Sequence, residues 1–90
     1  MRIDVTRKHI IFGKPSGAST CAVALAIHEV VPDDYVAIIV TEARIGEAWY
    51  SGAHCRYKLP REVQDFIIKF DSTLWLFRWF MKPFSFELDI

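Results

Sequence analysis

Five stretches of the chain carry the periodicity of β-strands. Arg2–Val5 and Phe84–Ile90 alternate polar and apolar residues with a period of two. Tyr35–Thr41 is β-branched and almost continuously apolar, as is typical of a central strand covered on at least one face. Glu47–Ser51 and Cys55–Leu59 also alternate and lie on either side of a short turn. This last pair predicts a hairpin.

Two helices are predicted in the first third of the chain. The first is short and lies between a capping Thr6 and Gly13, which suits the residue just after a helix. The second covers Cys21–Val31 and has Ser19 or Thr20 as its cap. Its residues are apolar on nearly every side, so we expect this helix to be buried.

The clearest amphipathic helix follows Pro60, a residue that suits the first helical turn. Val63, Phe66, Ile67 and Phe70 recur at the spacing of one helical face. The whole order is then β-α-α-β-β-β-α-β, with a further helix possible before the last strand. It predicts a single α+β domain over residues 1–90, with a small, mostly antiparallel sheet and two to three helices on one face.

Composition agrees with one compact domain and favours certain partners and a cellular compartment. In 90 residues, 52% are apolar and 14% aromatic, which is more than one small core needs and predicts an interface. The formal net charge is zero, which disfavours nucleic acid as a partner and favours self-association. Two cysteines and the lack of a signal-peptide pattern predict a cytoplasmic protein with free thiols.

Short motifs spread over most of the chain resemble a group of small bacteriophage proteins. The matching residues are Val5-Thr6, His9-Ile10, Gly13, Cys21–Ala26, Leu59-Pro60, Val63, Phe66-Ile67, Phe70-Asp71 and Pro83–Leu88. That group belongs to tailed bacteriophages and usually has proline after the cysteine, where this chain has Ala22. Residues 72–82 are also longer and more aromatic here than in the group. The resemblance implies an accessory protein acting in the cytoplasm of the bacterial host, and it implies no catalytic residues.

The stretch FGKPSGASTCAVALA looks like a phosphate-binding loop that opens onto a helix. In a nucleotide-hydrolysing loop, lysine and then Ser or Thr follow the last glycine, but here Ala18 follows Gly17. What remains is a capped helix start that would bind a small anion through backbone N–H groups. The residues of this predicted anion site are Lys14, Ser16, Gly17, Ser19 and Thr20.

Other chemistry is not indicated by the residue pattern. The histidines and cysteines lack the close spacing of zinc ligands, and we expect Cys21 and Cys55 to be buried as small apolar side chains and His54 to lie in a turn. The carboxylates are scattered over predicted loops and polar faces. We therefore expect no metal, no cofactor and no catalytic residues.

The run TLWLFRWFMKP holds more large apolar side chains than one face of a helix presents. We expect a subunit interface here, formed by Trp75, Phe77, Arg78, Trp79, Phe80, Met81 and Lys82. Burial under the sheet and a helix on a membrane surface are the two alternatives.

A second set of residues is a candidate for contact with a partner or with nucleic acid. It comprises Trp49, Arg56, Tyr57 and Lys58, with Arg44 and Arg61 nearby in the sequence. Arg56 and Lys58 lie two residues apart and share one strand face.

The resemblance implies a non-enzymatic accessory protein of a bacteriophage, and the lack of a catalytic motif agrees with it. The expected activity is inhibition of a bacterial defence system, in the manner of an anti-CRISPR protein or a similar blocker of a host protein, and the expected state is a dimer. A sponge for a small cyclic nucleotide at residues 13–20 is the first alternative. A nucleic-acid-binding accessory protein is the second.

Overall fold

A computed structural model of the chain describes residues 1–46, 54–72 and 80–90 and confirms the α+β class. The elements, in chain order, are β1 (Arg2–Val5), α1 (Arg7–Phe12), α2 (Ala22–Val30), β2 (Tyr35–Ile39), β3 (Glu42–Gly46), β4 (His54–Lys58), α3 (Arg61–Ser72) and β5 (Phe84–Glu87). Their strands form two antiparallel sheets, one of two strands and one of three, where the sequence predicted one sheet.

The two-stranded sheet joins the two ends of the chain. β1 pairs with β5 so that Ile3 lies opposite Phe86 and Val5 opposite Phe84. The pairing continues to Met1 and Leu88, whose backbone N–H and C=O groups bond to each other in both directions at 2.9 Å. The strict alternation in both segments therefore serves one purpose, because it turns one apolar face of the pair towards the core.

The three-stranded sheet has the order β2-β3-β4. β2 ends at Ile39, two residues earlier than predicted, and a tight turn leads into β3. The partner of β4 is β3, which the sequence did not predict as a strand, whereas the expected hairpin strand at 47–51 lies outside the described residues. His54 begins β4 instead of lying in a turn. The signal in β3 is weak because only Ala43 and Ile45 mark its buried side.

Helices α1 and α2 approach each other closely at Gly13. The N–H of Gly13 donates to the carbonyl of His9 at 2.8 Å and closes the end of α1. A Cβ atom at Gly13 would lie 2.6 Å from the backbone nitrogen of Ala22, closer than real contacts allow. Glycine is therefore required here for space, and its φ of −68° shows that a left-handed backbone is not the reason.

The core is one contiguous cluster to which nearly every element contributes. α2 buries Ala22, Val23, Ala24, Ala26 and Ile27, as its apolar sequence predicted. α3 buries Val63, Ile67 and Phe70, which confirms the predicted amphipathic face. Phe66 of α3 lies 4.7 Å from Phe84 of β5, measured between ring centroids, so α3 packs against the two-stranded sheet. Among the described helices, none has the length and apolar character needed to cross a membrane.

Candidate functional site: a basic cleft between β4 and α3

An open cleft of about 890 Å³ lies between the outer face of the three-stranded sheet and the start of α3. The residues around it are Thr41, Glu42, Arg56, Lys58, Leu59, Pro60, Arg61 and Gln64. Three of the four charged side chains in this set are cationic. The cleft is therefore suited to an anionic partner.

Strand register explains why cations gather there. Lys58 lies opposite Glu42, and Arg56 lies opposite Arg44, so these four side chains share one sheet face. The opposite face carries Ala43 and is buried in the core. The predicted shared face of Arg56 and Lys58 is confirmed by this register.

The third cation comes from a separate element. Arg61 is the first residue of α3, and its side chain is almost fully exposed. The backbone turns into α3 at Pro60, whose carbonyl accepts from the N–H groups of Val63 and Gln64. The Gln64 amide donates to the carbonyl of Leu59 at 2.9 Å and holds this corner in place. The β4–α3 corner thus places Arg61 beside the two strand cations.

The carboxylate of Glu42 partly neutralises the positive charge of the cleft. Glu42 is mostly buried and lies 3.6 Å from Arg44 Nη2 and 3.9 Å from Arg56 Nε. Arg61 lies 3.6 Å from Asp65, one helical turn on, in a pair that solvent screens. Lys58 has no ion pair within the described part of the chain. The cations are therefore loosely held and remain open to a further anion.

The aromatic members of the predicted set are not in this cleft. Tyr57 projects from the opposite side of β4 and packs partly against the core. Desolvation raises the pKa of its hydroxyl, and a hydrogen bond with Cys55 acts in the same direction. Trp49 lies outside the described residues. Cys55, which we expected to be buried, is exposed.

Many backbone N–H donors of the predicted anion loop already form hydrogen bonds within the loop. The N–H groups of Lys14, Gly17, Thr20 and Cys21 bond to carbonyls within the loop, at 2.8 to 3.3 Å. The N–H of Ser16 donates to Asp71 at 2.8 Å, which puts a carboxylate beside the loop. Binding of a nucleotide here stays a prediction, and it would require the anion to compete with these bonds.

The residues expected to cap α2 have other partners. Cys21 is the N-cap, and the N–H groups of Val23 and Ala24 point at its sulfur. Ser19 donates its hydroxyl proton to Tyr35 Oη at 2.8 Å instead of capping the helix. Burial raises the pKa of the Cys21 thiol, so the helix start faces a neutral sulfur inside the protein.

Only the end of the predicted aromatic interface falls within the described residues. Trp75, Phe77, Arg78 and Trp79 lie outside them. Phe80 is 79% exposed and Lys82 is exposed, as an interface needs. Met81 is buried in the core of its own chain, which removes it from the side chains available to a partner.

The remaining His, Cys, Asp and Glu side chains of the described residues do not form a metal site. No group of three or more His, Cys, Asp or Glu side chains within residues 1–46, 54–72 and 80–90 is placed to hold a metal ion. The buried His9 has a structural role, since its Nδ1 accepts from the N–H of Thr6 at 3.0 Å and caps α1. Its Nε2 lies 2.8 Å from Glu29 Oε1, but the angle between the two groups is outside hydrogen-bond geometry. This contact between α1 and α2 is therefore not a hydrogen bond.

Comparison with protein-family models, with curated proteins and with solved structures finds no match to this chain.

Proposed function

We propose that this chain is a non-enzymatic binding protein that inhibits a bacterial defence system by covering part of a host protein. The proposal is supported by the resemblance to accessory proteins of tailed bacteriophages, which implies activity in the bacterial cytoplasm. The supporting observation is the basic cleft, where Arg56, Lys58 and Arg61 surround one open space. Exposed charges of this kind add little to folding stability, but they steer an oppositely charged partner and set its orientation.

A plaque assay tests the inhibitory role directly. Bacterial strains that each carry one defence system are made to express the chain and are challenged with a phage which that system blocks. We expect plaques to return on at least one strain. A double variant, Arg56→Glu with Lys58→Glu, should lose this effect because two attractions become repulsions.

The matched control for that variant reverses two other exposed cations, Arg7 and Lys8, which both lie on α1. Arg7→Glu with Lys8→Glu makes the same change in net charge outside the lining of the cleft, so it should inhibit as well as the original chain. Absence of plaques on every strain would contradict the inhibitory role. Equal loss with both double variants would show that net charge, and not the cleft, carries the effect.

The proposed inhibitor acts as a dimer, as the surplus of apolar residues predicts. The exposed Phe80 and Lys82 are the described parts of the proposed contact surface. Light scattering of the dilute protein should return twice the chain mass of 10.4 kDa. Phe80→Asp should halve that mass, whereas Phe12→Asp, at another exposed phenylalanine, should leave it unchanged. A mass of one chain for the unsubstituted protein would refute the dimer.

A further inference from the structure

β4 presents its cations in a regular row along the border of the three-stranded sheet. It is the last strand in the order β2-β3-β4, and within the described residues its pairing is with β3 alone. Arg56 and Lys58 project from the same face, two residues apart. Two residues of a strand advance by roughly 6.6 to 6.8 Å, so the row has the repeat of an extended peptide.

An extended segment aligned with β4 would present its own alternate side chains at that same repeat. Side chains directly opposite each other on neighbouring strands lie close enough for oppositely charged pairs to attract. Carboxylates at alternate positions of such a segment would therefore meet Arg56 and Lys58 together. Arg61 continues the positive row beyond the end of β4, at the first turn of α3.

The cleft is less suited to nucleic acid than to an acidic peptide. Single-stranded nucleic acid is held by aromatic stacking as well as by cations, and Tyr57 lies on the opposite side of β4 from the cleft. A peptide has the additional advantage that its backbone forms hydrogen bonds with a strand edge.

We infer that the cleft binds an extended acidic segment of a partner protein, aligned along β4, with carboxylates at alternate positions facing Arg56 and Lys58. This inference rests on the proposed function, because it specifies the kind of host-protein surface that the inhibitor covers. The spacing of the charges is the specific element, since any anion would meet the net charge, but only carboxylates two residues apart would match the strand repeat.

Two labelled peptides of the same composition test the spacing. One is Glu-Thr-Glu-Thr-Glu, in which the carboxylates alternate, and the other is Glu-Glu-Thr-Thr-Glu, in which no two carboxylates lie two residues apart. Fluorescence anisotropy measures binding of each to the full chain at about 0.1 M salt, where screening acts over about 10 Å. We expect the alternating peptide to bind about fivefold more tightly or better, since it alone pairs both strand cations on one face.

The variants used for the plaque assay assign that binding to the cleft. Arg56→Glu with Lys58→Glu should weaken binding of the alternating peptide about tenfold or more, and Arg7→Glu with Lys8→Glu should leave it unchanged. Circular dichroism of both variants confirms that the fold is kept. A labelled oligothymidylate is titrated in parallel.

Equal affinity for the two peptides would overturn the inference, as would unchanged binding in the cleft variant or tighter binding of oligothymidylate. No binding of the alternating peptide would also overturn it. These results are separable from the plaque assay. Inhibition that persists without peptide binding would refute the acidic segment alone, whereas peptide binding without inhibition on any strain would refute the inhibitory role alone.

Discussion

The backbone N–H of Ser16 donates a hydrogen bond of 2.8 Å to the carboxylate of Asp71, which joins the loop before α2 to the last turn of α3. Ser16 itself has a positive φ of 61°, a conformation that L-residues rarely adopt and that the surrounding bonds hold in place. The same loop reaches β2, because the N–H of Ile38 donates to the carbonyl of Ala18 at 2.7 Å. The stretch that resembled a phosphate-binding loop thus connects α3 with the sheet.

Removal of the Asp71 carboxylate should loosen this connection. We expect Asp71→Ala to lower the free energy of unfolding by about 1 kcal/mol, the usual worth of a hydrogen bond to a charged acceptor after allowance for solvent exposure. Asp65→Ala on the same helix removes only an exposed pair with Arg61 and should cost less than about 0.5 kcal/mol. Urea denaturation measures both, and equal losses would contradict a structural role for Asp71.

The close approach of α1 and α2 predicts different outcomes at two glycines. Gly13→Ala should destabilise the fold by about 2 kcal/mol or more, because its Cβ would press on the backbone of Ala22. At Gly17 the nearest obstacle is the Thr20 hydroxyl, which lies on an exposed side chain that is free to rotate. Gly17→Ala should therefore cost less than about 1 kcal/mol. Thermal denaturation compares the two, and a larger loss at Gly17 would refute this account.

The two cysteines should differ strongly in reactivity. Cys21 is buried and its pKa is raised by burial, so a reagent reaches its sulfur rarely and the reactive thiolate form is sparsely populated. Cys55, in contrast, is exposed. We expect a thiol-specific reagent to modify Cys55 quickly and Cys21 at least about a hundredfold more slowly, since Cys21 must wait for the fold to open. Mass spectrometry follows the modification. In a Cys55→Ser variant only the slow reaction should remain, and rapid modification of that variant would contradict the buried position of Cys21.

Asp4 should titrate in acid below its ordinary pKa of 3.8. Hydrogen bonds from Ser85 and then from Arg2 stabilise the carboxylate and lower its pKa. Because the pKa is lower in the folded chain, this group stabilises the fold above its ordinary pKa, and the contribution is lost as pH falls through the folded value. Carboxyl NMR shifts against pH should show the lowered pKa, and Ser85→Ala should raise it towards 3.8. An unchanged pKa in that variant would contradict the assigned cause.

Long apolar patterns determined most of the fold from the sequence alone. The face of α3 carrying Val63, Ile67 and Phe70 and the strict alternation of β5 were predicted correctly, because burial of one whole face requires one periodicity. The all-round apolar character of α2 likewise predicted its place in the core. β3 was missed because a strand with two apolar residues, one of them alanine, has little signal of its own.

The candidate site was partly visible in the sequence. The two-residue spacing of Arg56 and Lys58 already put both on one strand face, and the register confirmed it. The sequence shows Arg61 only as a basic residue close to Arg56 and Lys58 along the chain. Its position at the same cleft follows from the turn of the chain at Pro60 into α3. Tyr57 was grouped with these cations, although neighbouring residues of a strand point to opposite faces.

Apart from β3, the sequence by itself determined which of the described segments are helical or extended and which faces of the helices are buried, because these properties depend on local periodicity. Tertiary structure alone decided that β4 pairs with β3, that the strands divide between two sheets, and that Glu42 and Arg61 reach one cleft. Those arrangements depend on residues distant in the chain. Because the stability of each strand pairing depends on the side chains packed around it, no short segment encodes the arrangement.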